Sequence, residues 1–459
     1  MGEPRVVIVG AGPAGVRAAQ TLAGAGLRPI VIDEQRRDGG QIYRRQPDGF
    51  TRAYATLYGT EATRAEALHR TFDALRPQID YRPDTLAWNF WDNELHVVTG
   101  GIASRLQADA FIVCSGGTDR LCPAKGWDLA GTYSLGAAQI ALKSQACTIG
   151  RRTVFVGTGP LLYLVAKQYI AAGADVAAVL DTSPFVLRLR AVPGLLARPD
   201  VLFKGLSIVA QLLRAGVRMA SGITPVAITG TAGGGVNGFT WRSRRGRLQS
   251  VACDAVGLGY HLRPETQLAD LAECDFQFDA STRQWLPVTD ADGRSSRRGI
   301  YFAGDGTAIA GADAAELAGQ LAALAALADL GRTVDTVQMQ RLRTALATQR
   351  RFSRSLQQAF PWPHHLAAQL PDDTVVCRCE VITAGEIRAS VQSLGAHDVN
   401  RAKAFSRAGM GRCQGRYCGD AAAEIVAAAT GRTIEDAGRL RTQAPVKPLA
   451  IGTVEAATP

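Results

Sequence analysis

The sequence predicts an α/β protein. Two Rossmann-like dinucleotide-binding domains are expected, the second inserted in the first, with a small helical domain at the C-terminus. Three observations carry this expectation. A strand–glycine turn–helix–strand unit opens the chain at Gly10-Ala11-Gly12-Pro13-Ala14-Gly15, and a related unit recurs at Gly157-Thr158-Gly159-Pro160-Leu161-Leu162. A late apolar run, Gly299-Ile300-Tyr301-Phe302-Ala303, leads into Gly304-Asp305 ahead of a long Ala-rich segment. Four cysteines then stand in two close pairs, Cys377 with Cys379 and Cys413 with Cys418.

The first unit reads as a strand at Arg5–Val9, a helix at Val16–Ala25 stopped by Gly26, and a strand at Pro29–Ile32 ending in Asp33-Glu34. Each glycine has a physical task. Gly10 permits the tight turn, Gly12 lets the backbone approach a pyrophosphate, and Gly15 lets helix and strand pack closely. Pro13 and Ala14 open the helix, whose free N–H groups and partial positive charge suit phosphates. Asp33 or Glu34 can accept the hydroxyls of an adenosine ribose.

Residues 81–113 alternate as β structure does and end in Phe111-Ile112-Val113-Cys114-Ser115-Gly116-Gly117. An apolar strand running into small residues suits close contact with a cofactor at Gly116. Cys114 and Cys122 form no CxxC pair, so both read as small buried residues. In the second unit, strand Thr153–Val156 and a helix to Ala172 precede strand Val176–Leu180 and Asp181, but Leu162 replaces the third glycine. Looser helix–strand packing and a hindered phosphate approach are expected. Two readings stand: a second nucleotide, NAD(P) or ATP, at Gly157–Leu162, or a Rossmann-like unit kept for structure. In the late segment Gly304 permits close approach, and Asp305 can bond a ribityl hydroxyl. Arg341, Arg343, Arg350, Arg351 and Arg354 mark a basic helical stretch. Pro361-Trp362-Pro363-His364-His365 and Pro371 read as a linker with ordinary surface histidines.

The cysteine pattern is CxC, then 33 intervening residues, then CxxxxC. A capping box at Thr383 and Glu386 opens a helix between the pairs. Four thiolates on glycine-rich turns meet the needs of a two-iron cluster or of tetrahedral zinc. Beside a flavin-type site an electron carrier is the better reading. Arg378, Arg412 and Arg416 are expected to offset the thiolate charge.

These residues together resemble the large (A or alpha) subunit of multisubunit, dye-linked amino- and imino-acid dehydrogenases: hydroxyproline dehydrogenase, opine oxidase, related proline dehydrogenases, and a subunit of hydrogen cyanide synthase. The resemblance runs over nearly the whole chain. It includes Gly10–Gly15, Asp33-Glu34-Gln35, Gly39-Gly40-Gln41-Ile42-Tyr43-Arg44, the 157–162 turn, Tyr301–Gly311, Cys377-Arg378-Cys379-Glu380 and Gly409–Gly419. The last is similar to a BFD-like, ferredoxin-type module. The first half also resembles thioredoxin-reductase-like flavoproteins, without their CxxC.

The resemblance implies FAD held by Gly10, Gly12, Pro13, Ala14 and Gly15, with Asp33 or Glu34 at the ribose. Gly40, Gln41, Gly116, Gly304 and Asp305 would line the rest, and Cys377, Cys379, Cys413 and Cys418 would bind a 2Fe-2S cluster. It implies no catalytic residue on this chain. An oxidase-type flavoprotein subunit would oxidise the substrate C–N bond, with a further small subunit beside it, and this chain would pass electrons to a quinone or dye. The expected boundaries are 1–149 and 281–354 for the FAD domain, 150–280 for the inserted NAD(P)-type domain, 355–371 for the linker, 372–442 for the cluster domain and 443–459 for a tail. Other readings are a subunit of hydrogen cyanide synthase, a self-sufficient NAD(P)H-dependent reductase and a non-catalytic assembly subunit.

Composition narrows the classes. Hydrophobic residues at 47% and charged residues at 20% exclude a largely disordered chain. The 51 Lys+Arg against 41 Asp+Glu give +10, which favours anionic ligands. The arginines are scattered and form no nucleic-acid reading motif. No apolar run spans a membrane: Ala314–Leu330 is interrupted by Glu316, Gln320 and Asp329 and reads as a buried helix. The N-terminus has no basic leader. A cytoplasmic protein with reduced thiols is expected, peripheral at the inner membrane through its partners. The nine cysteines then do not form a disulfide framework.

Overall fold

The apolar run Val6–Val9 is fully buried because it lies at the centre of a parallel sheet covered on both faces, where strands read as continuous hydrophobic runs. A computed structural model describes residues 3–49 and 52–455. The sheet order is Ile300–Phe302, Ala110–Val113, Val6–Val9, Ile30–Ile32, Asp80–Arg82, all parallel. One face is covered by helices Pro13–Gly24 and Ala312–Asp329. The other packs against the antiparallel strands Thr85–Trp91, Glu94–Thr99 and Ile102–Gln107 through Phe90, Leu95, Val97 and Leu106. The Ala-rich helix lies close on the first one: a Cβ at Gly319 would stand 2.0 Å from the Ala14 carbonyl oxygen.

Register sets the site. Val9 pairs with Ile32 and Val113, and Phe302 pairs with Val113. Gly10, Asp33, Cys114 and Ala303 follow directly on those residues. They therefore meet at the carboxyl ends of adjacent strands, where open α/β sheets bind ligands.

The second parallel sheet has the order Arg218–Ser221, Asp175–Asp181, Arg152–Thr158, Ala255–Tyr260, Thr132–Ser134. All its strands come between Ala110–Val113 and Ile300–Phe302, so this unit is inserted in the first. The two crossing segments, Gly117–Asp119 and Leu262–Pro264, pair antiparallel. Leu162, expected to loosen the packing, is fully buried in this unit's core, because its side chain fills the space a third glycine would have left.

The segment expected as a linker is packed. Helix Thr336–Ala359 is capped by Asp335 and runs past residue 354. His364–Ala368 forms a helical turn, and Trp362, Ala367 and Leu370 are buried. Trp362 lies under the Arg120 guanidinium, 4.0 Å from its ring centroid, and edge-on to Tyr260. His364 and His365 are exposed. The cysteine-bearing region is built from helices Ala384–Gln392, Val399–Ser406 and Gly419–Thr430, and the capping box of Thr383 with Glu386 is present. The tail is docked: Val446 N–H donates to the Trp88 carbonyl, and Val454–Glu455 pairs with Ile102–Ala103. Among the described residues no helix is long and apolar enough to cross a membrane.

Candidate cofactor sites

The first glycine turn separates packing demands from ligand demands. A Cβ at Gly10 would lie 2.4 Å from the Cys114 carbonyl oxygen, and one at Gly15 only 1.8 Å from the Gly10 carbonyl oxygen. Those glycines are fixed by the protein itself. At Gly12 an added Cβ would meet only the Gly40 Cα, at 3.6 Å. Gly12 is thus a cradle that a side chain would fill, in front of a helix that no side chain caps. This fits an approaching pyrophosphate.

Around the turn, Gly39 N–H donates to the Ala11 carbonyl and lays the Gly39–Arg44 loop over it. Gly40 is half-buried against Gly12, whereas Gln41 is exposed and accepts from Arg44. Asp33 is buried, its Oδ2 accepting from Ala11 N at 2.6 Å and its Oδ1 from Gln35 N at 2.7 Å. Burial outweighs these bonds and raises the carboxyl to about 6. Glu34 is exposed and pairs with Lys447 of the tail. Gly116 faces open space with φ +70°. Gly304 bears on Ala14, and Asp305 Oδ1 accepts from Ala310 and Gly311 N–H at 2.9 and 3.1 Å. Burial raises the Asp305 carboxyl as well.

Sequence reasoning missed Lys143. Its ammonium is buried, 3.4 Å from the Ile42 carbonyl oxygen, and is lowered to about 8 by burial and then by Arg44. Its signal was one Lys at the end of an apolar helix. Cys114 and Cys122 are buried, and burial pushes both thiols up to about 12.

The four C-terminal cysteines converge. Cys377 ends strand Val375–Cys377, and Cys418 caps helix Gly419–Thr430. The thiols neighbour one another in a string: Cys379 beside Cys413, Cys413 beside Cys418, Cys418 beside Cys377. The Cys418 thiol, with the backbone N–H groups of Gly409, Glu380 and Cys379, lowers Cys377 to about 6. Cys418, with N–H groups of Tyr417 and Gly415, lowers Cys413 to about 5. Cys418 itself is raised, first by its bond to Cys377, and Cys379 is raised by burial. Gly411 has no room for a side chain, since its Cβ would lie 2.1 Å from that of Cys379. Among the described residues no three His, Cys, Asp or Glu side chains are grouped to hold a single metal ion. A string of four thiols with amide donors aimed at it fits a two-iron cluster, which takes its ligands as two pairs.

The expected arginine neutralisation does not form. Arg416 pairs through Nε with both oxygens of Glu265, at 3.0 and 2.9 Å, and donates to the Cys413 and Val446 carbonyls. Arg378 lies over Trp127, and Arg412 is exposed. A guanidinium is better satisfied by a carboxylate than by a sulfur. The buried cation near Cys418 is Lys403, which sequence reasoning did not single out.

The two cofactor regions are locked together. Arg120, 4% exposed, pairs with Asp420 at 2.7 Å and donates to the Thr282 carbonyl. Arg283 holds the buried Glu424 at 2.8 and 2.7 Å. Arg439 holds Asp270 at 2.6 and 2.8 Å.

Comparison with known proteins agrees with both sites. Residues 4–322 match the family described as pyridine nucleotide-disulphide oxidoreductase, and residues 375–428 match the BFD-like [2Fe-2S] binding domain. The chain is 39% identical to the opine oxidase large (A) subunit of Rhizobium meliloti, over 97% of this chain and 86% of that relative. It is 32% identical to the HcnB subunit of hydrogen cyanide synthase from Pseudomonas aeruginosa, over 97% of each. The fold is also that of L-proline dehydrogenase from P. horikoshii, with TM-score 0.70 and 18% identity over 98% of this chain and 79% of that one. T. acidophilum thioredoxin reductase shares the fold over 72% of this chain and 99% of its own, with TM-score 0.52 and 20% identity. FAD and a 2Fe-2S cluster are thus the cofactors of this chain.

Proposed function

The chain belongs to the pyridine nucleotide-disulphide oxidoreductase family, and we propose that it is the electron-transfer subunit of a multisubunit amino- or imino-acid dehydrogenase, of opine, proline or hydroxyproline type. The observation that carries this reading is the end-to-end similarity to the opine oxidase large (A) subunit in a chain with two cofactor sites. FAD takes up two electrons at once and a 2Fe-2S cluster passes one at a time, which is the chemistry those groups supply.

The chain's own residues bind and orient. Gly10, Gly12, Pro13, Ala14 and Gly15 would seat the FAD pyrophosphate. Asp33 would fix the turn through Ala11 and face the ribose beside Glu34. Gly40, Gln41, Gly116, Gly304 and Asp305 would line the remainder, and Lys143 would hold positive charge behind the Gly39–Arg44 loop. Cys377, Cys379, Cys413 and Cys418 would ligate the cluster, with Arg120, Arg283 and Arg439 holding that region on the flavin-binding one. Substrate oxidation would fall to an oxidase-type flavoprotein partner, with electrons leaving to a quinone or dye. A second reading is favoured by the similarity to the HcnB subunit of hydrogen cyanide synthase: the same relay with glycine as the donor.

The test is purification of the complex from its native cells. Dye-linked oxidation of an opine, proline, hydroxyproline or glycine is expected from the complex, with a flavoprotein partner in stoichiometric amount. In a complex carrying Cys413→Ala in this chain, dye reduction should fall at least about tenfold while the flavin of this chain stays bound. A complex that oxidises none of these amines overturns the reading.

A further inference from the structure

The family description names a pyridine nucleotide, and the place for one would be the second glycine turn. Gly157 pairs in register with Asp181, much as Gly10 stands beside Asp33 in the first unit. The residues there do not fit such a ligand. We infer that the second dinucleotide unit is closed by the chain's own junction segment at Phe360, and takes neither NAD(P)H nor ATP.

The acid is the first reason. Asp181 is fully buried and its carboxylate is in use: Oδ2 accepts from Tyr163 Oη and from Arg188, each at 2.8 Å, and Oδ1 accepts from Ser183 N at 2.7 Å. An adenosine ribose needs an acid facing the crevice. This one faces a guanidinium and a phenol of its own chain. Displacing either would leave a buried charge without its partner, which is strongly unfavourable.

The second reason is the turn. Gly159 corresponds to Gly12 as the glycine that would let a pyrophosphate approach. At Gly12 an added Cβ finds only one atom within 4 Å, whereas at Gly159 it would meet three atoms of the His261 imidazole at 3.2 to 3.4 Å. His261 is held there by a hydrogen bond between its Nε2 and the Phe360 carbonyl. The position a phosphate would need is therefore covered by a ring that the junction segment keeps in place.

Phe360 itself is the third. Its ring lies 5.0 Å from the Arg188 guanidinium, 6.4 Å from the Tyr163 ring and 6.3 Å from the His261 ring. It thus touches the residue that occupies the acid, the phenol beside it and the imidazole over the turn. Phe360 directly follows helix Thr336–Ala359, and Trp362 beyond it packs on Arg120 and Tyr260. The βαβ scaffold is retained, and its crevice has become the seat for the chain on its way to the cysteine-bearing region.

Two measurements on the FAD- and cluster-loaded protein test this. The wild type is titrated with NADH and NADPH up to about 1 mM, following nicotinamide fluorescence, and with ATP by calorimetry. No saturable signal is expected, and saturable binding of any of the three overturns the inference. The second compares backbone hydrogen exchange in the wild type and in Phe360→Ala, a readout independent of nucleotide. Exchange across 159–163 and 260–262 is expected to quicken at least about tenfold, with Val6–Val9 unchanged. Unchanged exchange at 159–163 and 260–262 would show that Phe360 does not close the turn. Either failure leaves the amine-dehydrogenase reading to the assay on the purified complex.

Discussion

Gly12 is a residue whose identity protein packing does not dictate. Its missing Cβ has Gly40 Cα as sole neighbour, at 3.6 Å, so Gly12→Val should fold with near wild-type thermal stability and yet be isolated without FAD. Flavin absorbance per chain is the measurement, and full occupancy in the variant would remove the first turn from the flavin site. Gly15→Val should behave differently and fail to accumulate as folded protein, because its Cβ would overlap the Gly10 carbonyl oxygen.

Asp33 gives a pH signature at the same scale. Its carboxyl is raised by burial from 3.8 to about 6, so the folded state holds the proton more tightly than the unfolded one. The associated stability is complete below about pH 4 and is lost as pH rises through about 6. At about 1.4 kcal/mol per unit this amounts to about 3 kcal/mol. In urea unfolding of the flavin-free protein from pH 4 to 7, Asp33→Asn should flatten that decline. An unchanged slope would mean that Asp33 is not the group responsible.

Among the elements, the contact between the flavin-binding part and the cysteine-bearing helices rests on buried charge. Arg120→Ala strips the partner from Asp420 and the cation from the Trp362 ring. A loss of about 3 kcal/mol is expected, the scale for breaking such a pair from one side. Calorimetry should show the unfolding of the cysteine-bearing region moving to lower temperature and separating from that of the sheet. A single unshifted transition would contradict the interlock. The elements themselves were largely legible in the sequence where their causes are local. Strand Val6–Val9, the glycine turn, the Ala-rich helix and the Thr383–Glu386 capping box follow from neighbours in the chain. What depended on distant partners was not legible. Residues 355–371 read as a linker because Trp362 gives no sign of Arg120 and Tyr260. Arg416 read as a countercharge for thiolates because nothing nearby announces Glu265. The tail gave no hint that Lys447 would meet Glu34. At the second turn Leu162 marked a departure from the nucleotide pattern, but Phe360 and His261 lie far from it in sequence.

The whole molecule is organised as a relay. Two cofactor regions are clamped in one body, the second nucleotide crevice is filled from within, and the substrate-oxidising centre is assigned to a partner. The most direct measurement is an anaerobic absorbance titration of the purified chain loaded with FAD and cluster. Octopine, nopaline, proline, hydroxyproline and glycine are added in turn, followed by dithionite. A relay without its own substrate site predicts that none of the amines changes the flavin or cluster absorption, and that dithionite then delivers about three electrons per chain, two to the flavin and one to the cluster. Bleaching by any one of the amines without a partner would place a complete substrate site on this chain and contradict the relay.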